Sequence, residues 1–115
     1  MPTALGHLRV IDLGESIASQ YCSRLFADFG AHVTLIEPPE GSAIRRRGPF
    51  RANGDSQLFQ HLNLGKHSVV ADRTKPEGWS SVLEIARTAD VVLVPAGVDR
   101  DAITAQNDQT IVGMI

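Results

Sequence analysis

Two hydrophobic periods alternate along this chain: short continuous apolar runs, and longer stretches in which apolar side chains recur every three to four residues. Leu8-Arg9-Val10-Ile11-Asp12-Leu13, stopped by Gly14, predicts a mostly buried strand. From Ile17 the apolar positions are Ile17, Ala18, Tyr21, Cys22, Leu25, Phe26 and Phe29, which stacks them on one face of a helix. Gly30 stands where a helix C′ glycine belongs. His32 to Glu37 predicts a second strand, closed by Pro38-Pro39 because proline has no N–H to give a central strand. A β-α-β unit of this length implies two parallel strands with the helix lying across one face.

Between Glu40 and Gly65 the periodicity fades until Leu58, Phe59 and Leu62, so this segment reads as a long loop with room for one helical turn. Loops of that length in a small domain are usually functional or mobile, which makes this one the first place to look for a site. Ser68 to Asp72 predicts a strand. Thr74-Lys75-Pro76-Glu77 then has the form of a capping box, with Thr74 as N-cap and Glu77 three residues on. Trp79, Val82, Leu83, Ile85 and Ala86 supply the buried face of the helix that follows. Asp90 to Val94 and Thr110 to Ile115 read as further strands, with a short helix over Asp101 to Gln106. Strands alternating with helices predict an α/β fold with a mostly parallel sheet.

Composition narrows the function classes. At 115 residues, 43% apolar and 21% charged, the chain is one domain spanning 1–115. Its formal net charge of -2 gives no overall basic field, so neither nucleic acid nor an anionic membrane is an expected partner, and any anion binding must be local. Cys22 is the lone cysteine, which favours a reducing, cytoplasmic setting over secretion. The first residues lack a basic segment followed by an apolar one, and the longest apolar stretch, Val91 to Val98, is interrupted by Pro95 and Gly97, so no leader and no membrane span are expected. His7, His32, His61 and His67 form no i,i+4 pair and have no cysteine nearby, so no metal is expected.

Three chemical readings remain open at this level. The turn after the first strand, Gly14-Glu15-Ser16-Ile17-Ala18-Ser19, precedes a helix whose N-terminus offers free N–H groups to a phosphate, but it carries one glycine where G-x-G-x-x-G needs three. Glu37 ends the second strand where an NAD-binding protein carries its ribose-binding acid; the plainer reading is a carboxylate that simply terminates a strand. Arg45-Arg46-Arg47 with Lys66 and His67 could gather into a phosphate-attracting patch, with Arg46 and Lys66 as its principal charges, or stay separately solvated. Cys22, on the apolar stripe of the first helix, reads as a small packed hydrophobe and not a nucleophile. Neither a G-x-S-x-G elbow nor a P-loop is present.

The order of the pieces is itself informative. Leu5-Gly6-His7-Leu8-Arg9-Val10-Ile11-Asp12-Leu13, Tyr21-Cys22-Ser23-Arg24-Leu25-Phe26-Ala27-Asp28-Phe29-Gly30-Ala31, and Val33-Thr34-Leu35-Ile36-Glu37-Pro38-Pro39-Glu40-Gly41 come first. Arg45-Arg46-Arg47-Gly48-Pro49-Phe50, Gly54-Asp55-Ser56, Leu62-Asn63-Leu64-Gly65-Lys66-His67-Ser68-Val69-Val70-Ala71-Asp72, Thr74-Lys75-Pro76-Glu77-Gly78 and Ala89-Asp90-Val91 follow. In this order and at these spacings they resemble the N-terminal part of the class III CoA-transferases, a family of CoA-transferases and acyl-CoA racemases.

That resemblance implies a Rossmann-like, three-layer domain and coenzyme A, as CoA or an acyl-CoA, for its cofactor. It implies that CoA lies along three loops, placing Ile17 and Ala18, then Ala71, Asp72, Arg73 and Thr74, then Pro95, Ala96 and Gly97 beside it. The family's interlocked dimer makes a homodimer, or a partner subunit carrying the rest of the fold, the expected partner. Three departures stand out: Ala18-Ser19-Gln20 where relatives read A-G-P, Leu93-Val94-Pro95-Ala96 where they read V-E-N-F, and a shorter stretch from Gly97 to Asn107, in which Arg100 is the one arginine able to replace a family phosphate contact. None of Asp12, Asp28, Asp55, Asp72, Asp90, Asp99, Asp101 and Asp108 stands in the context of the family's acyl-bearing aspartate, so the chain is expected to hold no catalytic residue of its own and to be inactive alone. The expected function is the CoA-binding N-terminal portion of such an enzyme, whose parent reaction moves CoA between carboxylic acids. The alternative is a degenerate, non-catalytic domain that acts through protein contacts.

Overall fold

The structure is a computed structural model and describes residues 4–115. Its strands are β1 (Arg9–Asp12), β2 (His32–Glu37), β3 (His67–Val70), β4 (Val91–Val94) and β5 (Ile111–Met114). They form one five-stranded sheet in the order β3-β2-β1-β4-β5, and every pairing is parallel. Parallel neighbours need crossover connections, supplied here by α1 (Ile17–Asp28), α2 (Gln57–Asn63), α3 (Pro76–Ala86) and α4 (Arg100–Thr104). This is the α/β, Rossmann-like sheet expected from the alternation of strands and helices. The segment read as one long loop holds a 3₁₀ turn, Ala43–Arg46, as well as α2.

The side-chain alternation of β1 explains the layers. Ile11 and Leu13 face one way, into a core shared with Ile36, Val92, Val94, Val82 and Ala86 of α3, and Ile103 of α4. Val10 faces the other way, with Ala31 and Val33. Leu35 joins Ile44, Phe59 and Leu62 beneath α2. Asp12 shares the Val10 face and is fully buried there, under α1.

That buried carboxylate changes how α1 sits. The residues of α1 turned to the sheet are Ser19, Gln20 and Ser23, all fully buried, while Tyr21, Leu25 and Phe29 are exposed. The apolar stripe exists at the expected spacing, but much of it looks outward, because Asp12 needs hydrogen-bond donors and the two serines provide them. Gly30, at φ +98, ends the helix with its N–H on the Ala27 carbonyl. The capping box also fails. Lys75 is the N-cap of α3 and makes no side-chain cap bond, because the Thr74 hydroxyl instead donates to the Asp72 carboxylate.

Candidate functional site

Because all five strands run the same way, the loops after β1, β3 and β4 emerge at one edge of the sheet, the edge where open α/β sheets take their ligands. Three helices start there. Ser16 caps α1 by accepting from the Ser19 N–H at 3.0 Å, and Asp99 caps α4 by accepting from the Ala102 N–H at 3.1 Å. Helix α3 begins so close to the β3 loop that a Cβ on Gly78 would lie 1.8 Å from the Asp72 carbonyl oxygen. Asp72 folds its own loop: its carboxylate accepts from the Thr74 hydroxyl and, at 3.0 Å, from the Thr74 N–H, and these bonds hold its pKa below the usual carboxylate value.

Arg73 stands at the centre of this edge. Its Nη2 lies 3.2 Å from Glu15 Oε1, an ion pair that joins the β3 loop to the β1 loop. On one side is a cleft of about 350 Å³ lined by Glu15, Pro38, Glu40, Asp72, Arg73 and Thr74. On the other is a cleft of about 230 Å³ lined by Arg73, Trp79, Gly97, Val98 and Asp99. Gly97 has φ +88 and no atom within 4 Å of where its Cβ would be, so the backbone there turns as glycine permits and faces open space.

Of the expected site residues, the structure brings Asp72, Arg73, Thr74 and Gly97 together around these two clefts. Pro95 and Ala96 belong to the same β4 loop and Ala18 is exposed in the first turn of α1, while Ile17 packs against the Leu35 cluster and Ala71 is buried in the core. Arg46 and Lys66 line neither cleft. Arg46 is on the 3₁₀ turn with its Nη1 on the Glu40 carbonyl at 3.1 Å. Lys66 turns inward, donating to the Gln20 carbonyl and to Asn63 Oδ1, each at 2.8 Å, and burial pushes its pKa down to about 8. Glu15, Trp79 and Asp99 were missed. Trp79 carried the signal of a core helix position, and it does pack on the core while also lining the cleft.

The β1 loop is anchored from below by a fully satisfied polar network. Asp12 Oδ1 accepts from the Gly14 N–H at 2.7 Å and the Ser19 hydroxyl at 2.8 Å, and Oδ2 accepts from the Ser23 hydroxyl at 2.5 Å. Gln20 Nε2 reaches Ser42 Oγ at 3.0 Å, while its Oε1 accepts from Asn63 Nδ2 at 2.7 Å. Ser19 therefore points into the protein, and it leaves room at position 14 for glycine alone: a Cβ there would be 1.8 Å from Ser19 Oγ. Cys22, half-buried on the outward stripe, lines a shallow apolar groove with Leu5, Leu25, Phe26 and Phe29, and burial raises its thiol pKa.

The NAD reading loses its one support. Glu37 is 3% exposed and already engaged by Arg45 Nε at 2.6 Å, Arg45 Nη2 at 2.8 Å, the Ser42 N–H at 2.8 Å and the Ser68 hydroxyl. The Arg45 bonds lead in holding its carboxyl down to about 2. The Arg45 guanidinium is itself stacked 3.9 Å above the Phe59 ring, so this centre is a structural clasp with no carboxylate left for a ribose. Among the described residues no group of three or more His, Cys, Asp or Glu is gathered for a metal, and no helix is long and apolar enough to cross a membrane.

Comparison with known proteins identifies the family and the fold. The family profile described as CoA-transferase family III matches residues 5–102. The chain is 40% identical over 94 residues to succinyl-CoA:mesaconate CoA-transferase of Haloarcula hispanica, covering 78% of this chain and 24% of that protein. It is 34% identical over 122 aligned positions to succinate–glutarate CoA-transferase of Agrobacterium fabrum, covering 93% of this chain and 30% of that one. Among solved structures, a CAIB/BAIF family protein from Brucella suis superimposes with a TM-score of 0.90 at 30% identity, covering 99% of this chain and 33% of that one. The chain thus spans about a quarter to a third of the length of these relatives.

Proposed function

The chain belongs to CoA-transferase family III, and from that premise we propose that it is the CoA-binding N-terminal portion of a class III CoA-transferase or acyl-CoA racemase homologue. The observation that carries the reading is the convergence of Asp72, Arg73, Thr74 and Gly97 on two clefts at the carboxyl edge of the sheet, in a chain matched to the family over residues 5–102. Coenzyme A or an acyl-CoA fits this edge chemically. Arg73 offers a guanidinium fork to a phosphate, and Gly97 lets backbone and ligand approach closely. Ile17, Ala18, Pro95 and Ala96 flank the same edge, and Ala71 sets the base of the β3 loop.

The parent reaction is transfer of CoA between carboxylic acids. This chain supplies cofactor binding, and the acyl-bearing aspartate comes from the remainder of the family fold, which a partner subunit would carry. Exposed Tyr21 and Leu25 on α1 with Phe29 at its C-cap, and Ile111, Met114 and Ile115 at the β5 edge, support pairing with another polypeptide surface. A reducing cytoplasmic setting suits the free thiol of Cys22.

Calorimetric titration with CoA, acetyl-CoA and NAD tests the assignment. Heat with the two CoA compounds and none with NAD is the expected result; no heat with CoA up to millimolar concentration overturns it.

A further inference from the structure

We infer that Glu15 competes with the cofactor's phosphates for Arg73 and thereby sets how tightly this edge holds a polyanionic ligand; the inference rests on the CoA reading above. Arg73 is the only cation among the residues lining either cleft, and it lines both. In the larger cleft it faces three carboxylates, Glu15, Glu40 and Asp72. Asp72 is occupied by Thr74, and Glu15 is the carboxylate that reaches the guanidinium, at 3.2 Å. Lys75 follows Thr74 and lies close enough to Asp72 to favour its charged form, so it offsets that carboxylate and leaves the Glu15–Arg73 contact untouched.

The two partners differ in how firmly they are held. The Arg73 side chain is 26% exposed and that of Glu15 59% exposed. The guanidinium thus stays in place when the carboxylate swings away. A phosphate accepts from the guanidinium fork in two parallel bonds, which a single carboxylate contact at the rim cannot match, so phosphate displaces Glu15. Glu15 immediately precedes the N-cap of α1, where the unpaired N–H groups still favour a negative charge, so the released carboxylate has a favourable place to rest. The pair is thus an internal stand-in for the ligand that keeps the cationic centre neutralised while the edge is empty. Its presence lowers affinity without touching any group the ligand uses apart from Arg73.

A double-mutant cycle read by calorimetry, with CoA and adenosine 3′,5′-bisphosphate as probes at two salt concentrations, tests this. Glu15→Gln is expected to bind both probes about two- to fivefold tighter, the range in which an exposed ion pair acts. Arg73→Met is expected to bind them more weakly and with less salt dependence. In the Arg73→Met background, Glu15→Gln should change nothing, because the competition has lost its object. Tightening that persists without Arg73 reduces Glu15 to a general repulsive charge and overturns the inference, as does a Glu15→Gln variant that binds no tighter. CoA binding that ignores Glu15 overturns this inference alone, whereas absence of CoA binding in every variant overturns the cofactor reading and this inference with it.

Discussion

Replacing Gly78 with alanine sets two opposed effects against each other at the site. Alanine is favoured over glycine by up to about 0.8–1.0 kcal/mol in a helix, an upper bound in the first turn where Gly78 stands, so propensity alone predicts a gain. Space predicts the reverse. The new Cβ would sit 1.8 Å from the Asp72 carbonyl oxygen, 2.5 Å from its carbonyl carbon and 3.0 Å from its nitrogen. Carbon–oxygen contacts settle at about 3.3 Å or more, so the β3 loop or the start of α3 must move by about 1.5 Å. The obstacle is backbone and cannot rotate away. Overpacking of this kind costs about 1–3 kcal/mol, and with a backbone obstacle the upper end applies, leaving a net loss of about 2 kcal/mol. In a domain of this size that lowers the melting temperature by about 8 °C. Thermal melting of Gly78→Ala beside Ser80→Ala, an exposed site on the same helix, separates the terms. The control should move by no more than about 0.5 kcal/mol. A Gly78→Ala protein that melts at or above the parent would falsify the argument that close approach fixes the loop carrying Asp72, Arg73 and Thr74.

Two further outcomes follow from the buried charges. Ser23→Ala removes the one donor on Asp12 Oδ2 and should destabilise the fold by about 1–3 kcal/mol in urea unfolding; a loss near zero would mean that the seam under α1 is not what holds it. For Glu37 the folded pKa of about 2 lies below its ordinary value of 4.5, so the folded state holds fewer protons and stability falls as pH drops from about 5 towards 2. Arg45→Met should flatten that part of the urea midpoint against pH, and an unchanged slope would show that Arg45 is not the cause.

The sheet was legible because its strands are short branched runs closed by Gly14, Pro38-Pro39 or a helix, and β2 lies at His32–Glu37 as its pattern predicts. Helix α1 was legible in extent but not in orientation. An apolar stripe normally marks the buried face, and nothing in the periodicity reveals that Asp12, one side chain beneath it, draws Ser19 and Ser23 inward instead. The capping box misled for a related reason: a threonine hydroxyl has several possible acceptors, and Asp72, two residues earlier, takes it before the helix N-terminus can. At the site, loop positions were readable through the family pattern, whereas the Glu15–Arg73 pair joins residues 58 apart in sequence and depends on the strand order. Arg46 and Lys66, which charge alone grouped as one patch, are drawn to different acceptors, Glu40 and Gln20.

The side of α1 that meets the sheet also governs how this helix comes loose. Peeling it away uncovers Ser19, Gln20, Ser23 and the Asp12 carboxylate along with the apolar Val10 and Val33, and exposing polar area lowers heat capacity where exposing apolar area raises it, so the two partly cancel. Detachment of α1 should therefore carry a smaller heat-capacity change and a shallower denaturant slope than unfolding of the all-apolar Val82–Val92–Ile103 side. Such a helix is also fixed in rotation about its own axis, since turning by one residue would carry both the Ser19 and the Ser23 hydroxyls off the carboxylate they satisfy.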